Sequence, residues 1–429
     1  MTGSRLDLFL DRYAERTKGM SASEIRALFA VASRPEVVSL AGGMPNLSAL
    51  PMDVVAHIAE EVIREQGSVA LQYGSGQGDP TLREQIAEIM ALEGIESHPD
   101  DIIVTTGSQQ ALDLVSRIFL DPGDVVLAEA PSYVGALGTF RQYQASIVHV
   151  QMDDDGIIPQ LLREAIANVK SSGRRIKFLY LIPNFQNPAG VSLSLERRSE
   201  ILKIARQENI LIIEDNPYGL LGFDGQITRA MRADDPENVV YLGSFSKTFA
   251  PGLRVGWAAA PHAVREKLVL ASESSILCPS NFSQLAISRY FATQPWQDQI
   301  KSFRELYRDR RDAMLESMNA LFPASATWTK PGGGFYVWVT LPEGIDTKAM
   351  LPRAVTSRVA YVPGTAFFAD GFGAWSMRLS FCYPTPERIR EGIRRLAGVI
   401  EAEMELRATF GPAAITSDQS RILPPTQMQ

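Results

Sequence analysis

The segment from Tyr241 to Trp257, YLGSFSKTFAPGLRVGW, combines side chains that suit carbonyl chemistry with side chains that suit an anion. An apolar run ends in Ser244 and Ser246, and Lys247 follows at once. A lysine held among hydroxyl groups and close-packed backbone can lose its proton and attack a carbonyl carbon. Arg254, beyond a Pro-Gly turn, offers a fixed positive charge to a phosphate group. For a K-T pair alone, an ordinary surface lysine is the better interpretation, but the complete S-x-S-K-x-x-x-P-G-x-R spacing favours a reactive lysine.

Two further segments place polar groups directly after apolar runs. In TTGSQQALDL, Gly107 permits a tight turn before a helix that begins at Ser108 and Gln109. The free N–H groups of a helix N-terminus suit a phosphate, and simple N-capping by Ser108 explains this segment equally well when it is taken alone. In ILIIEDNPYG, Asp215 ends a buried strand. A carboxylate there needs a cationic partner, unless it is an ordinary turn residue.

Three more polar or aromatic side chains stand at similar places. Asn187 precedes a proline, which holds it extended and leaves its amide free to point into a crevice. Tyr133 follows a predicted strand and either stacks on a flat aromatic ring or packs in the core. Arg378 precedes an apolar strand and suits either bidentate binding of a carboxylate or an interdomain salt bridge. Together these segments predict one ligand site built from distant strand ends.

The composition narrows the class of protein. The 429 residues are enough for two domains, and 45% hydrophobic with 21% charged residues is typical of a globular protein. Lys and Arg (42) are outnumbered by Asp and Glu (49), and the net charge of −7 argues against nucleic-acid binding. The two cysteines and four histidines have no metal-ligand spacing, so we predict neither a metal site nor a disulfide framework. The charged N-terminus and the lack of a long apolar run argue against a signal peptide and a membrane span, and predict a cytoplasmic protein.

Nearly continuous apolar runs alternate with helix-period stretches through most of the chain, which indicates strands buried on both faces. This alternation predicts an α/β fold with a mainly parallel central sheet flanked by helices, and with ligands at the carboxyl ends of the strands. After about residue 295 the pattern changes to that of a smaller α+β domain. The predicted strands of the larger unit are 101–107, 124–130, 177–183, 210–215, 238–244 and 255–261.

The same changes in pattern predict four segments. Residues 1–48 precede the large domain and are expected to pack on the small one. The large domain spans 49–295 and the small C-terminal domain spans 296–410. Residues 411–429, rich in Pro, Ser, Thr and Gln, are expected to be disordered.

The order of these motifs resembles that of the class I aminotransferases, which are fold-type I enzymes dependent on pyridoxal phosphate (PLP). The likeness extends over about residues 20–405 and is closest to the 2-aminoadipate/kynurenine (LysN-like) subgroup. The phrases that carry it are SEIRALF, VVSLAGGMPN, ALQYGSGQGDPTLRE, TTGSQQALDLV, APSYVGAL, YLIPNFQNPAG, YLGSFSKTFAPGLRVGW and PGGGFYVWVTLP. The resemblance implies a fold-type I PLP-transferase fold with PLP bound to the large domain. It also implies transfer of an amino group from an L-amino acid to a 2-oxo acid such as 2-oxoglutarate, by ping-pong aldimine and ketimine chemistry.

The resemblance also implies a role for individual residues. Lys247 is expected to form the internal aldimine and to move a proton between the substrate Cα and the cofactor C4′. Asp215 is expected to pair with the pyridine nitrogen, while Asn187 and Tyr218 bond the ring oxygen O3′. Tyr133 is expected to stack on the ring. The residues implied to hold the phosphate are Ser108, Gln109, Ser244, Ser246 and Arg254.

Further roles implied by the resemblance concern the substrate and a second subunit. Tyr73, in QYGSGQG, is expected to reach the phosphate of the neighbouring subunit's cofactor, which implies a homodimer with sites completed across the interface. Arg378 and Asn187 are expected to bind the substrate α-carboxylate, with Gly42 lining the site. Arg26, on an N-terminal helix, is expected to contact an acidic substrate side chain.

Two other functions are weighed against transamination. A PLP-dependent lyase or decarboxylase on the same fold is the alternative, because the same residues hold the cofactor and the fold alone does not decide the reaction. A regulator with an aminotransferase-like domain would carry a basic helix-turn-helix region before the large domain. The sequence shows no such pattern there.

Overall fold

The computed structural model describes residues 9–20 and 34–411, so Arg26 lies outside the described residues. The helices are α1 (Met52–Ala70), α2 (Pro80–Ala91), α3 (Ser108–Phe119), α4 (Val134–Gln142), α5 (Pro159–Ser171), α6 (Leu195–Glu208), α7 (His262–Ile276), α8 (Asn281–Thr293), α9 (Trp296–Leu321), α10 (Thr347–Thr356) and α11 (Pro386–Phe410). Of the helices in these two ranges, none has the length and apolar character needed to cross a membrane.

The strands fall into one large sheet and two smaller ones in the part of the chain that the structure describes. They are β1 (Val38–Ser39), β2 (Ile102–Thr105), β3 (Val125–Ala130), β4 (Ser146–Asp153), β5 (Gly156–Ile157), β6 (Ile176–Leu181), β7 (Leu211–Asp215), β8 (Val239–Ser244), β9 (Gly256–Ala259), β10 (Thr327–Trp328), β11 (Tyr336–Thr340), β12 (Val359–Ala360), β13 (Val362–Pro363) and β14 (Ser376–Ser380).

The large sheet is mainly parallel, which confirms the predicted fold class. Its order is β2-β9-β8-β7-β6-β3-β4-β5, with parallel pairing from β8 through to β4. Only β9 and β5 run against their neighbours within the described sheet. Alternate residues of one strand enter different cores: Phe178 and Tyr180 pack in one cluster, and Leu179 and Leu181 pack in another. A sheet covered on both faces requires this burial, and it explains why its strands are apolar at consecutive positions.

A second, antiparallel sheet follows in the C-terminal part of the chain. Its order is β10-β11-β14-β13, and Trp338 of β11 lies opposite Arg378 of β14. The helices α9 and α11 pack against each other beside it. The short strand β1 pairs in parallel with β12, which attaches the segment before α1 to this second unit. The domain boundaries at residues 48, 295 and 410 stay predictions.

The strand β4 is missing from the predicted set. Its sequence, SIVHVQMD, is interrupted by His149 and Gln151, and most of its residues are only half-buried. It lies near the edge of the sheet, where one face is less covered, so the criterion of a continuous apolar run does not detect it.

The topology brings the predicted site residues to one edge of the large sheet. The strands β2, β3, β6, β7 and β8 all point the same way, since β2 and β8 are each antiparallel to β9. Their carboxyl ends therefore share one edge, which is where open α/β sheets bind ligands. The residues at or just after these ends are Ser108, Tyr133, Asn187, Asp215 and Lys247.

Candidate active site

A cavity of about 280 Å³ opens at this edge of the sheet. Most of the predicted site residues line it, although they come from strands, loops and a helix N-terminus that are far apart in the chain. The predicted residues in its wall are Ser108, Gln109, Tyr133, Asn187, Asp215, Tyr218, Ser244, Ser246, Lys247, Arg254 and Arg378. The residues in its wall that the sequence did not single out are Gly43, Met44, Ile182, Pro217, Pro251 and Tyr336.

Lys247 follows β8 and is half-buried in the cavity wall. Its Nζ donates a hydrogen bond to the carbonyl oxygen of Gly43, 2.9 Å away. Burial lowers the pKa of Lys247 to about 8, and the positive charges of Arg378 and Arg254 act in the same direction. Near pH 8, Lys247 is therefore a neutral amine in a substantial fraction of the protein molecules. A nucleophile or general base requires this neutral form.

Asp215 is the last residue of β7 and is buried. Its Oδ2 accepts a hydrogen bond from the hydroxyl of Tyr180 at 2.8 Å, whereas its Oδ1 is buried without a partner among the described residues. Burial raises the pKa of Asp215 to about 7, against the lowering effect of Tyr180 and Lys247. An unpaired buried carboxylate oxygen at a cavity is suited to a cationic N–H group of a ligand.

Arg378 lies on β14 and is buried between aromatic rings. Its guanidinium carbon is 4.1 Å from the ring centre of Tyr336 and 5.0 Å from that of Phe367. Its Nη1 donates to Oδ1 of Asn187 at 2.8 Å, and its Nη2 donates to the carbonyl oxygen of Ala41 at 2.7 Å. The nearest partners of Arg378 are therefore neutral, so its charge is available to an anion in the cavity. The interdomain salt bridge considered from the sequence is not formed among the described residues.

A second part of the cavity wall, around Arg254, is suited to an anion. Gly107 has a φ of 74° before α3, and a Cβ atom there would lie 2.5 Å from Nη2 of Arg254. Glycine thus permits the arginine to approach the N-terminus of α3. The Nη1 of Arg254 is 3.5 Å from the hydroxyl oxygen of Ser246, which is itself buried. Helix N–H groups, a serine hydroxyl and a guanidinium meet here.

Two tyrosines, Tyr133 and Tyr218, also line the cavity. Tyr133 donates a hydrogen bond to Oε1 of Gln109 at 3.2 Å, and burial raises the pKa of Tyr133 to about 12. Tyr218 is buried, and its ring contacts Phe335 edge-on with the centres 5.4 Å apart. Both tyrosines therefore remain protonated at neutral pH and can act as hydrogen-bond donors.

Two of the three remaining predicted residues are described by the structure, and neither is among those that line the cavity. Tyr73 is 75% exposed and lies outside the cavity wall of its own chain. Gly42 lies one residue before the lining residues Gly43 and Met44, and its carbonyl oxygen is 3.7 Å from the Sγ of Cys382. The third, Arg26, is not described by the structure.

Tyr336 is the main site residue that the sequence analysis missed. A Cβ atom on Gly43 would lie 2.0 Å from its hydroxyl oxygen, so this tyrosine packs directly against the loop that accepts the bond from Lys247. The phrase PGGGFYVWVTLP contains it and supported the family resemblance. Its place in the site follows from the register of β11 with β14, in which Trp338, two residues further on, lies opposite Arg378, and no signal in either segment alone indicates that register.

Comparisons with known proteins agree with this geometry. The chain is 45% identical over 396 residues to the aromatic-amino-acid aminotransferase 1 of Thermococcus litoralis, which covers 92% of this chain and 95% of the relative. It is 36% identical over 391 residues to the 2-aminoadipate transaminase of Thermus thermophilus, which covers 90% of this chain and 96% of the relative. The structure of the kynurenine aminotransferase of Pyrococcus horikoshii in complex with PMP matches with a TM-score of 0.89 and 39% identity, over 94% of this chain and 100% of that one.

The names of these relatives confirm the predicted amino-group transfer and give no support to a lyase. They also confirm the predicted likeness to the aminoadipate and kynurenine enzymes. Residues 35–396 match the family described as aminotransferase class I and II. The chain therefore belongs to the class I and II aminotransferases.

Proposed function

We propose that this aminotransferase binds PLP in the cavity and moves an amino group from an L-amino acid to 2-oxoglutarate. The family implies PLP as the cofactor. One observation carries the proposal for this chain: an unpartnered oxygen of Asp215 and an amine of lowered pKa, on Lys247, line the same cavity.

The residues in the wall fit the cofactor group by group. A protonated pyridine nitrogen would give Oδ1 of Asp215 the cationic partner that it lacks. Asn187 and Tyr218 carry the amide and hydroxyl donors for the ring oxygen, and Tyr133 offers a flat ring for stacking. The residues suited to the phosphate are Ser108, Gln109, Ser244, Ser246 and Arg254.

The chain's own side chains supply binding, orientation and proton transfer. When bound, PLP withdraws electrons from the bonds at the substrate Cα. Arg378 and Asn187 hold the α-carboxylate, and holding it in place presents the Cα–H bond to Lys247. The amine of Lys247 would accept that proton and carry it to the cofactor side of the cavity, which is the proton movement that transamination requires of this side chain.

The substrates are proposed by class from the relatives and the charges in the wall. The relatives act, by their names, on aromatic amino acids, 2-aminoadipate and kynurenine. Among the described lining residues the cations are Lys247, Arg254 and Arg378, and each already has a role. An amino donor with an uncharged side chain needs no further cation in the site. The distal carboxylate of 2-oxoglutarate or 2-aminoadipate does need one. We assign that contact to Arg26, and we assign Gly42 to the lining of the site.

We also propose a homodimer in which Tyr73 reaches the phosphate of the other subunit's cofactor. Tyr73 is 75% exposed, and Leu71 on the same segment and Leu277 on a neighbouring one are 73% and 54% exposed. Asn281 joins their two segments, since its Nδ2 donates to the carbonyl oxygen of Gln72 at 3.1 Å. Large apolar side chains exposed together are typical of an interaction surface. A second copy of the chain would cover this one and place Tyr73 in a neighbouring site.

The test of the function is spectroscopic. The protein purified with PLP should show a visible absorbance band that disappears with an amino donor and returns with 2-oxoglutarate. Phenylalanine, tyrosine, kynurenine, 2-aminoadipate and glutamate form the donor panel. Failure to bind PLP would contradict the proposal. Release of carbon dioxide or ammonia, without a reversible change of the band, would show that the protein is a lyase or decarboxylase instead.

Two variants test the substrate and subunit contacts separately. Measured as separate half-reactions, the reactions with 2-aminoadipate and 2-oxoglutarate should be about tenfold or more weaker in Arg26→Ala, whereas those with aromatic donors should be spared, because only the acidic side chains lose a charged partner. Equal losses for both classes would contradict the assignment of Arg26. Light scattering should give twice the chain mass, and Tyr73→Phe should raise the dissociation constant of PLP. A monomer with full activity would overturn the dimer.

A further inference from the structure

Tyr180 makes a contact with the site that the family roles above do not include. It lies on β6, directly beside β7, and is paired in register with Ile213. Its side chain is fully buried, and its hydroxyl donates to Oδ2 of Asp215 at 2.8 Å. Tyr180 is not among the residues that line the cavity, so it reaches the site only through Asp215.

The bond from Tyr180 makes the two oxygens of Asp215 different. Oδ2 is occupied by the tyrosine, whereas Oδ1 has no partner among the described residues and is the oxygen free for a ligand. A buried carboxylate with one held oxygen cannot rotate freely, because rotation would break a hydrogen bond to a charged group. The orientation of Asp215 toward the cavity is therefore set before any ligand binds.

The tyrosine is itself held in place. Its ring packs edge-on against Phe140 with the ring centres 5.4 Å apart, inside the core that covers one face of the sheet. Burial and the nearby charge of Asp215 raise the pKa of Tyr180 well above its usual range. The phenol therefore keeps its proton and remains a hydrogen-bond donor. Among the described residues, Asp215 is the acceptor of that hydrogen bond.

We propose that Tyr180 is a positioning residue that keeps Oδ1 of Asp215 toward the pyridine nitrogen and keeps the shared proton on that nitrogen. The proposal rests on the proposed PLP site. The hydrogen bond from Tyr180 stabilises the negative charge of Asp215 and makes the carboxylate a weaker base. Without that bond the carboxylate becomes more basic and takes the proton from the nitrogen. The ring then withdraws electrons less strongly from the substrate Cα.

The competing explanation is that Tyr180 only ties β6 to β7. The chain offers a matched control for it in Tyr241, a buried tyrosine on β8, the strand on the other side of β7. The hydroxyl of Tyr241 donates to the buried carboxyl group of Glu93 at 2.5 Å. Loss of either hydroxyl removes a buried hydrogen bond to a carboxyl group, but only Tyr180 bonds the one at the cavity.

The experiment uses holoenzyme loaded with PLP carrying ¹⁵N at the pyridine position. The ¹⁵N chemical shift in solid-state NMR reports directly whether the nitrogen is protonated. We expect a protonated nitrogen in the unmodified enzyme and in Tyr241→Phe, and a shift toward the unprotonated form in Tyr180→Phe. In parallel, kcat/KM for the amino donor should fall about 10- to 100-fold in Tyr180→Phe, the equivalent of one hydrogen bond to a charged group.

A second variant keeps the inference testable if Tyr180→Phe does not fold. Replacement of Tyr180 by 4-aminophenylalanine keeps a donor of similar size but weaker strength, and should give an ¹⁵N shift between the other two. An unchanged shift in a folded Tyr180→Phe or 4-aminophenylalanine enzyme would overturn the inference while leaving the PLP site intact. Unmodified enzyme that holds no labelled PLP would overturn the proposed function itself, and the inference with it.

Discussion

Two buried carboxyl groups of this protein, those of Asp215 and Glu93, have nearly the same surroundings but differ in one respect. Each accepts a hydrogen bond from a buried tyrosine, Tyr180 or Tyr241, on a strand that flanks β7. Burial raises the pKa of both groups to about 7. The second oxygen of Glu93 is also occupied, by Nδ2 of Asn216 at 2.8 Å, whereas the second oxygen of Asp215 has no partner and faces a cavity.

This difference separates a structural group from a binding group. A buried polar network in which every atom is paired stabilises one arrangement of the chain. A buried oxygen left unpaired costs about 1–3 kcal/mol unless a ligand completes it. Glu93 thus contributes to the fold, while Asp215 contributes to a site whose stability depends on what binds there.

The largest effect is expected at Lys247, the amine that shares the cavity with Asp215. Lys247→Ala should reduce transamination by about 10⁴-fold or more, because the general base is removed and cannot be replaced by water at the same place. Single-turnover kinetics with an aromatic donor measures the loss. Lys203→Ala, at an exposed position on α6, is the control and should be fully active. Comparable activity of the two variants would remove Lys247 from the mechanism.

The comparison itself is tested by neutralising each carboxyl group in turn. Asp215→Asn should lower kcat/KM by about 10³-fold, since a preorganised charge at the reacting system is lost. Glu93→Gln should leave kcat/KM nearly unchanged, because neither Glu93 nor its partners Tyr241 and Asn216 are among the residues that line the cavity. Steady-state kinetics with PLP in excess measures both. If Glu93→Gln were as damaging as Asp215→Asn, the distinction between the two groups would be wrong.

A smaller effect is expected at Arg378. Arg378→Lys should raise the KM for both donor and 2-oxo acid about 10- to 100-fold, because one ammonium cannot replace two parallel guanidinium bonds. Arg232, another buried arginine with an unpartnered Nε, lies away from the cavity and provides the matched control. Arg232→Lys should change stability without changing KM. A normal KM in Arg378→Lys would mean that the carboxylate binds elsewhere.

The smallest effect on activity, but a clear one on stability, is expected from the titration of Glu93. Its pKa is raised from 4.5 to about 7, so the folded protein binds this proton more tightly than the unfolded chain. Its contribution to stability is full below about pH 4.5 and is lost as the pH rises through 7. Glu93→Gln has no such titration, so its free energy of unfolding relative to the unmodified protein should rise by about 3 kcal/mol between pH 4.5 and 8. Urea unfolding of both holoproteins at four pH values measures this difference, and a constant difference would show that Glu93 does not titrate there.

The residues at the strand ends could be predicted because their signals are local. A carboxylate, lysine or asparagine directly after a continuous apolar run must lie at the edge of a buried sheet, and parallel strands bring those edges together. For this reason Asp215, Asn187, Lys247 and Tyr133 were predicted and all line the cavity. Their roles toward PLP stay predictions until the experiments above are done.

The residues that were missed depend on pairing between distant elements. Tyr336 reaches the site because β11 pairs with β14 in one register, and the register is not visible in either strand alone. Tyr180 and Tyr241 both lie in apolar segments that read as ordinary core. Neither pattern indicates that Tyr180 bonds Asp215, which lines the cavity, whereas Tyr241 bonds Glu93, which does not.

The sequence by itself determined the fold class, the alternation of strands and helices, and the set of side chains able to do chemistry. It could do so because periodicity and strand-end polarity are properties of short segments. Only the tertiary structure decided which oxygen of Asp215 is free, which tyrosine holds the other, and that Arg378 lies between Tyr336 and Phe367. Hydrogen-bond partners and pKa values arise from the burial of groups far apart in the chain, and burial is settled only when the sheets and helices pack together.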